Sequence, residues 1–175
     1  MPLHIIIDGY NLIRQSHSLS GMDARDIQLG REALLDLLSE YRKTKRHKIT
    51  VVFDGAKAPR FSIKKDFYKG INIKFSNRNE IADTVIKNMV AAANGQVMVV
   101  SSDLDIVNFA ESKGASTISS HEFEEKMFMA SYISIKGIEE TSIPDHKHKT
   151  TTKKKGPSKR LSKKARRNRV HTKKL

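Results

Sequence analysis

Two short apolar segments that each end in an aspartate constrain this sequence more than any other feature. Three isoleucines at positions 5–7 precede Asp8, and the β-branched run 49–53 precedes Asp54. Continuous apolar runs of this length are typical of strands buried on both faces of a parallel sheet. A carboxylate at the end of such a strand is costly unless something pairs with it, and ligands bind at this edge of α/β sheets. The pattern therefore predicts a site at Asp8.

Strands and helices alternate along the first 143 residues. Further strands are predicted at 71–75, 97–100 and 115–118, and helices at 26–42, 80–94, 104–113 and after Ser119, with a polar loop at 12–21. This order is typical of βαβ units. We therefore predict an α/β fold, with three α/β/α layers around a central, mostly parallel sheet of about five strands.

The charge of +14 lies almost entirely near the C-terminus. Residues 145–175 hold 14 Lys or Arg and one acid, a net of +13, whereas residues 1–144 hold 19 basic and 18 acidic side chains, a net of +1. Since residues 144–175 have few apolar side chains, we predict a disordered basic tail there and a folded domain at 1–143.

Several classes of protein do not fit this composition. The chain has no cysteine, so it has no disulfide or thiolate metal site, which fits a reducing cytoplasm. No apolar run approaches the roughly 18 residues of a membrane span, and we expect no signal peptide. Glycine-rich phosphate loops are absent, so no nucleotide cofactor is predicted. We expect a cytoplasmic protein without membrane association.

Six acids follow predicted strands or begin predicted helices: Asp8, Asp54, Glu80, Asp83, Asp103 and Asp105. Neighbouring strands lie about 4.8 Å apart, so carboxylates at their tips repel each other, and Mg²⁺ or Mn²⁺ would relieve this. Such an ion supports phosphodiester hydrolysis. Other roles stay open: a turn for Asp54, a helix cap for Asp103 and a helix-dipole contact for Asp105. Asn11 either positions Asp8 or substrate, or closes an Asx turn.

The segment 5–13, Ile-Ile-Ile-Asp-Gly-Tyr-Asn-Leu-Ile, resembles the opening motif of NYN domains, a group of PIN-like nucleases. The segments 51–55, 82–86 and 99–103 resemble the YacP-like branch in the same order, and the resemblance covers about residues 3–130. It implies a PIN-like sheet of order 3-2-1-4-5 and a divalent-metal-dependent endoribonuclease. By this resemblance the catalytic metal ligands are Asp8, Asp83 and Asp103, supported by Asn11 and Asp105. We add three neighbouring candidates in supporting roles: Asp54, Glu80 and Ser102.

One position departs from that pattern. Relatives often have two adjacent acids where this chain has Asp83 and Thr84. The absence of the second acid favours an alternative function, a PIN-like RNA-binding module with weak or no catalytic activity. Glu80, one turn before Asp83 on the predicted helix, would share its face and compensate. A phosphatase of the haloacid-dehalogenase type is set aside, because it needs a second acid at position 10, which is Tyr10.

Two basic regions predict RNA as the partner. The candidate RNA-binding residues are Lys57, Arg60, Lys64, Lys65, Lys153, Lys154, Lys155, Arg166 and Arg167. The first four follow Asp54 and would line a substrate groove. The tail has no aromatic residue, so it would neutralise phosphates without reading sequence, on structured RNA such as the ribosome. A merely solubilising tail is the alternative.

Overall fold

The computed structural model describes residues 3–55, 67–77, 79–136 and 162–175. Its strands are β1 (His4–Asp8), β2 (Lys48–Phe53), β3 (Phe67–Tyr68), β4 (Ile71–Phe75), β5 (Val97–Val100) and β6 (Ser116–Ile118). Its helices are α1 (Gly9–Gln15), α2 (Ser20–Arg25), α3 (Ile27–Thr44), α4 (Ala82–Ala91), α5 (Leu104–Ser112), α6 (Ser120–Lys136) and α7 (Lys163–Thr172). No helix in these ranges combines the length and apolar character needed to cross a bilayer.

The strands form one sheet in the order β3-β4-β2-β1-β5-β6. All neighbours are parallel except β3 and β4, which are antiparallel. On the central strand, Ile7 pairs in register with Val51 of β2 and with Val100 of β5. The five parallel strands confirm the predicted α/β class and the order 3-2-1-4-5. The two-residue β3 adds an edge strand that was not predicted.

The side chains of β1 alternate between two cores, as strand geometry requires. Ile5 and Ile7 join the core under α1, α3 and α6, whereas Ile6 joins the core under α4 and α5, and all three are fully buried. Helices therefore cover both faces, and the predicted three-layer architecture is confirmed. The carboxyl ends of β1, β2 and β5 meet at one edge of this sheet.

The polar loop predicted at 12–21 is wrong, because α1 begins directly after β1. Asp8 caps this helix: its Oδ1 accepts a hydrogen bond of 3.1 Å from the backbone N–H of Asn11. Leu12 and Ile13 are buried on its inner side. A Cβ at Gly9 would lie 2.3 Å from the ring of Phe53, so only glycine fits this strand-to-helix turn.

The prediction of a disordered tail is wrong for residues 162–175. Helix α7 packs against β6, where Ser116 Oγ and His171 Nδ1 lie 2.7 Å apart and Arg167 Nη2 donates to the carbonyl of Ala115 at 3.0 Å. The C-terminal Leu175 is 7% exposed and belongs to the larger core.

This docking explains why composition misled the prediction. Polar side chains with specific partners and one terminal leucine hold the helix, whereas the count of apolar residues in the tail was low. The predicted boundary at residue 143 and the tail residues 144–161 lie outside the described residues.

Candidate active site

A cleft of about 380 Å³ opens at the carboxyl edge of the sheet, and four acids line it. Asp8 ends β1, Asp54 follows β2, Asp83 lies in the first turn of α4, and Asp103 caps α5 after β5. Four separate segments thus bring carboxylates to one place. The strand ends predicted that Asp8, Asp54 and Asp103 converge, whereas the place of Asp83 at this site came from the family resemblance.

Asp8 is the most buried of the four, at 9% exposed. Its Oδ1 accepts from the N–H of Asn11, and its Oδ2 accepts from Ser101 Oγ at 3.5 Å. Burial raises the pKa of Asp8 to about 6; the charges of Asp83 and Asp103 add to the rise, and the two hydrogen bonds oppose it. The buried carboxylate is therefore held in one orientation but repelled by its neighbours.

Asp83 and Asp103 form the more open side of the cleft. Burial raises the pKa of Asp83, and the charges of Asp103 and Asp105 raise it further, against the attraction of Lys87. Asp103 is exposed, and its Oδ1 accepts from the N–H of Asp105 at 2.8 Å. The helix cap considered as an alternative for Asp103 is present, and the same side chain also lines the cleft.

Asn11 and Ser102 connect the elements around Asp8. Asn11 Oδ1 accepts from the N–H of Ser102 at 3.0 Å and from Ser120 Oγ at 2.7 Å. Ser102 Oγ donates to Gln15 Oε1 at 2.7 Å. These bonds tie α1 to the loop after β5 and to the start of α6, so Asn11 fixes the segment that carries Asp8.

The remaining supporting candidates lie in three different settings. Asp54 lines the cleft, and its Oδ1 accepts from Ser76 Oγ at 3.5 Å. Asp105 is exposed and forms an ion pair with Lys87 of α4. Glu80 is outside the cleft lining, and the prediction that it shares a helical face with Asp83 is wrong.

Glu80 and Asp83 do not share a helical face because α4 begins after Glu80. The helix begins at Ala82, because Ile81 has extended backbone angles (φ −89°, ψ 155°), so Glu80 precedes it. Thr84 is exposed and does not line the cleft. The departure from the family pattern at Thr84 therefore lies beside the carboxylate cleft and not among its walls.

Comparison with known proteins agrees with this fold. The model of the YacP-like NYN domain matches residues 5–172. The chain belongs to the YacP-like NYN domain family. The resemblance found in the motifs is thus confirmed, and the protein has a nuclease-type, PIN-like fold. The match runs past the predicted boundary at residue 143 and includes α7.

Individual relatives of this NYN domain come from Bacillus subtilis. The protein YacP of strain 168 is 29% identical over 102 residues, which are 57% of this chain and 59% of that protein, so the match spans about three fifths of the relative's length. The crystal structure of Rae1 (YacP) has a TM-score of 0.68 at 23% identity and covers 79% of this chain and 80% of that one. The crystal structure of a mutant form of Rae1 (YacP) has a TM-score of 0.65 at 24% identity and covers 78% of this chain and 80% of that one. These structures show the fold.

The NYN domain carries further cleft residues that sequence reasoning missed. Tyr10, Arg14 and Gln15 line the cleft from α1, and the last two were missed because residues 12–21 were predicted as a loop. Lys87 does not line the cleft, but it lies one turn after Asp83 on α4, a spacing that places both side chains on one face. That spacing was the available signal for Lys87.

Of the predicted RNA-binding residues, only Arg166 and Arg167 lie in the described part of this NYN domain, and neither lines the cleft. Seven of them lie outside the described residues: Lys57, Arg60, Lys64, Lys65, Lys153, Lys154 and Lys155. Arg166 is exposed on α7, whereas Arg167 holds α7 to the sheet through the carbonyl of Ala115.

Helix α7 lies at the opposite edge of the sheet from the carboxylates. Lys174, just beyond this helix, donates to Gln96 Oε1 at 2.7 Å. Gln96 directly precedes β5, whereas Asp103 follows it. A strand of four residues spans roughly 13 Å, so the basic side chains of α7 lie away from the carboxylate cleft.

Proposed function

We propose that this protein is a divalent-metal-dependent endoribonuclease that hydrolyses RNA phosphodiester bonds. The observation that supports it is the convergence of Asp8, Asp83 and Asp103 from three elements in one cleft. Ligands of α/β folds bind at this carboxyl edge of the sheet. The nuclease-type fold of the YacP-like NYN family agrees with the proposal.

The carboxylate set fits a hydrated Mg²⁺ or Mn²⁺. Burial raises the pKa of Asp8 and the charges of Asp83 and Asp103 raise it further, so a cation among these carboxylates would relieve their repulsion. Among the described residues, no three acids or histidines are close enough to hold one ion together. Mg²⁺ suits this spacing, because it keeps several waters and binds through one or two carboxylates and the substrate phosphate.

Each cleft residue then has a role. One or two of the carboxylates of Asp8, Asp83 and Asp103 would bind the ion directly and the rest would bind it through its waters; the ion when bound supplies Lewis-acid activation of the phosphate and of the attacking water. Asn11 orients Asp8 through its backbone N–H. Arg14, on the wall of the cleft, would bind the RNA backbone as a positive charge.

Basic side chains away from the cleft extend the proposed RNA surface. Helix α7 exposes one stripe of positive charge: Lys163, Arg166, Arg169 and Lys173. This stripe would bind phosphates without reading sequence, as on structured RNA such as the ribosome, with strong dependence on salt. The predicted cytoplasmic location belongs to the same proposal.

The test is cleavage of RNA in Mn²⁺ or Mg²⁺ by the wild type and by Asp8→Asn and Asp83→Asn. Loss of a metal ligand removes several kcal/mol of transition-state stabilisation, so each variant should cleave at least about 100-fold more slowly. Glu40→Gln, an exposed acid on α3 paired with Lys43, is the matched control and should cleave normally. EDTA should abolish cleavage.

Two results would contradict the proposal. Equal cleavage by the wild type and Asp8→Asn would mean that the cleft carboxylates do not act in the reaction. Retained RNA binding by the wild type with no cleavage in either metal would instead support the alternative of a binding module without turnover.

A further inference from the structure

A second cavity lies beside the active-site cleft, between α3 and the β4 side of the sheet. Its volume is about 350 Å³, and its walls include Arg31, Phe53 and Phe75. Phe53 directly precedes Asp54, which lines the cleft, and its ring lies 5.2 Å from that of Tyr10, another cleft residue. The cavity and the cleft therefore share a wall at the end of β2.

Arg31 is an unusual residue for such a wall, because its guanidinium is buried and forms no ion pair with an acid of the described residues. The residue is 3% exposed, and its Nη2 donates to Gln28 Oε1. Its Nη1 forms no hydrogen bond of normal geometry with the described residues, although the guanidinium interacts with the Tyr10 hydroxyl and lies 5.5 Å from the centroid of the Phe75 ring. A buried charged donor without an acceptor is unfavourable, so a ligand that supplies an acceptor would be stabilised here.

The acids that line the same cavity already have partners. Glu32 accepts from Gln28 Nε2 at 2.6 Å. Asp36 Oδ1 accepts from Lys69 Nζ and from the Tyr68 hydroxyl, both at 2.8 Å. These negative charges disfavour a phosphate in the cavity. A neutral, planar group with an acceptor edge satisfies Arg31 without meeting their repulsion.

We infer that the cavity receives one nucleobase of the RNA strand whose backbone lies in the cleft, an inference that rests on the proposed function. The base lies against the aromatic wall formed by Tyr68 and Phe75 and accepts a hydrogen bond from Arg31 Nη1. Unpaired bases of RNA are recognised in this way, by stacking on aromatic rings and bonding at their edges. The cavity's volume is within the range of small-molecule sites.

The experiment is photo-crosslinking of single-stranded oligoribonucleotides that carry one 5-iodouridine, in EDTA so that no cleavage occurs, with the crosslinked peptide located by mass spectrometry. Wild-type protein should crosslink within β3–β4, at Tyr68 or Phe75. Loss of one base contact costs about tenfold or more, so Arg31→Met should reduce this crosslink about tenfold. Lys43→Met, an exposed residue on the same helix that pairs with Glu40 and lies outside the cavity, should crosslink as the wild type does.

A second variant keeps the inference testable if Arg31→Met does not fold. Glu32 is an exposed residue on the cavity wall, so Glu32→Trp would fill the cavity from outside and should also reduce the crosslink about tenfold. An unchanged crosslink in Glu32→Trp, or wild-type crosslinks only outside α3 and β3–β4, would overturn the inference. Cleavage without the crosslink would refute the base site alone, and the crosslink without cleavage in metal would refute the nuclease alone.

Discussion

Asp8→Asn should stabilise the fold, because the buried carboxylate lowers the stability of the metal-free protein. Its pKa is about 6 in the folded chain, against an unperturbed value of 3.8. Between these two pH values the folded protein therefore keeps a proton on Asp8 that the unfolded chain has lost. The free energy of unfolding consequently falls as the pH rises from about 4 to 6. Above pH 6 the ionised side chain costs the full difference of about two pKa units, or about 3 kcal/mol.

An asparagine keeps the hydrogen-bond geometry without the charge. Its Oδ1 can still accept from the N–H of Asn11, and its amide can donate to Ser101 Oγ. In EDTA at pH 7.5, urea denaturation should show a free energy of unfolding up to about 3 kcal/mol above that of the wild type. The midpoint temperature of thermal unfolding should rise by roughly 6 to 12 °C for a chain of this size. The difference between the two proteins should vanish near pH 4.

Asp36→Asn is the matched control, because its pKa shift has the opposite sign. Lys69 and Tyr68 donate to Asp36 and lower the pKa of its carboxyl, but the side chain is 55% exposed. Solvent screening limits such a pair, so the control should lose less than about 1 kcal/mol at pH 7.5. An Asp8→Asn variant that is less stable than the wild type at pH 7.5 would refute the reasoning.

Three further predictions concern contacts that hold the site and the C-terminus. A chain that ends at Thr172 lacks the buried Leu175 and should lose about 2 kcal/mol of unfolding free energy in urea denaturation. Burial lowers the pKa of His171, so its contribution to stability is complete above pH 6.5 and is lost as the pH falls; His171→Gln should remove this acid-dependent loss between pH 7.5 and 5. Asn11→Ala leaves two donors without their acceptor and should lower the unfolding free energy by about 1–3 kcal/mol, measured in the same assay.

The fold was predictable because the decisive signals are local. The apolar runs at 5–7, 49–53 and 97–100 are short, continuous and bounded by polar residues, which specifies buried parallel strands. The order of those strands came from the family resemblance, since periodicity alone does not order a sheet. The docked α7 was not predictable from composition, because its anchors are pairwise contacts such as that between His171 and Ser116, 55 residues apart in sequence.

The placement of the site residues was more predictable than their local roles. Asp8 ends β1 and Asp103 lies three residues beyond the end of β5, so their convergence follows from parallel pairing of these two strands. Glu80 does not face the cleft, because α4 starts only at Ala82. The sequence pattern predicted a helix from residue 80 and gave no sign that Ile81 is extended. Lys87 was missed because its ion pair with Asp105 crosses between two helices.

The two strand-end acids of the cleft also explain how repelling charges persist in this fold. Asp8 caps α1 and Asp103 caps α5, so each carboxylate accepts a backbone N–H that would otherwise lack a partner. The caps fix where these carboxylates lie and offset part of the cost of placing them together. Replacing either acid by alanine would remove a cap as well as a charge, whereas asparagine removes the charge alone. Asparagine variants are therefore the ones that separate the chemistry of the cleft from the folding of its walls.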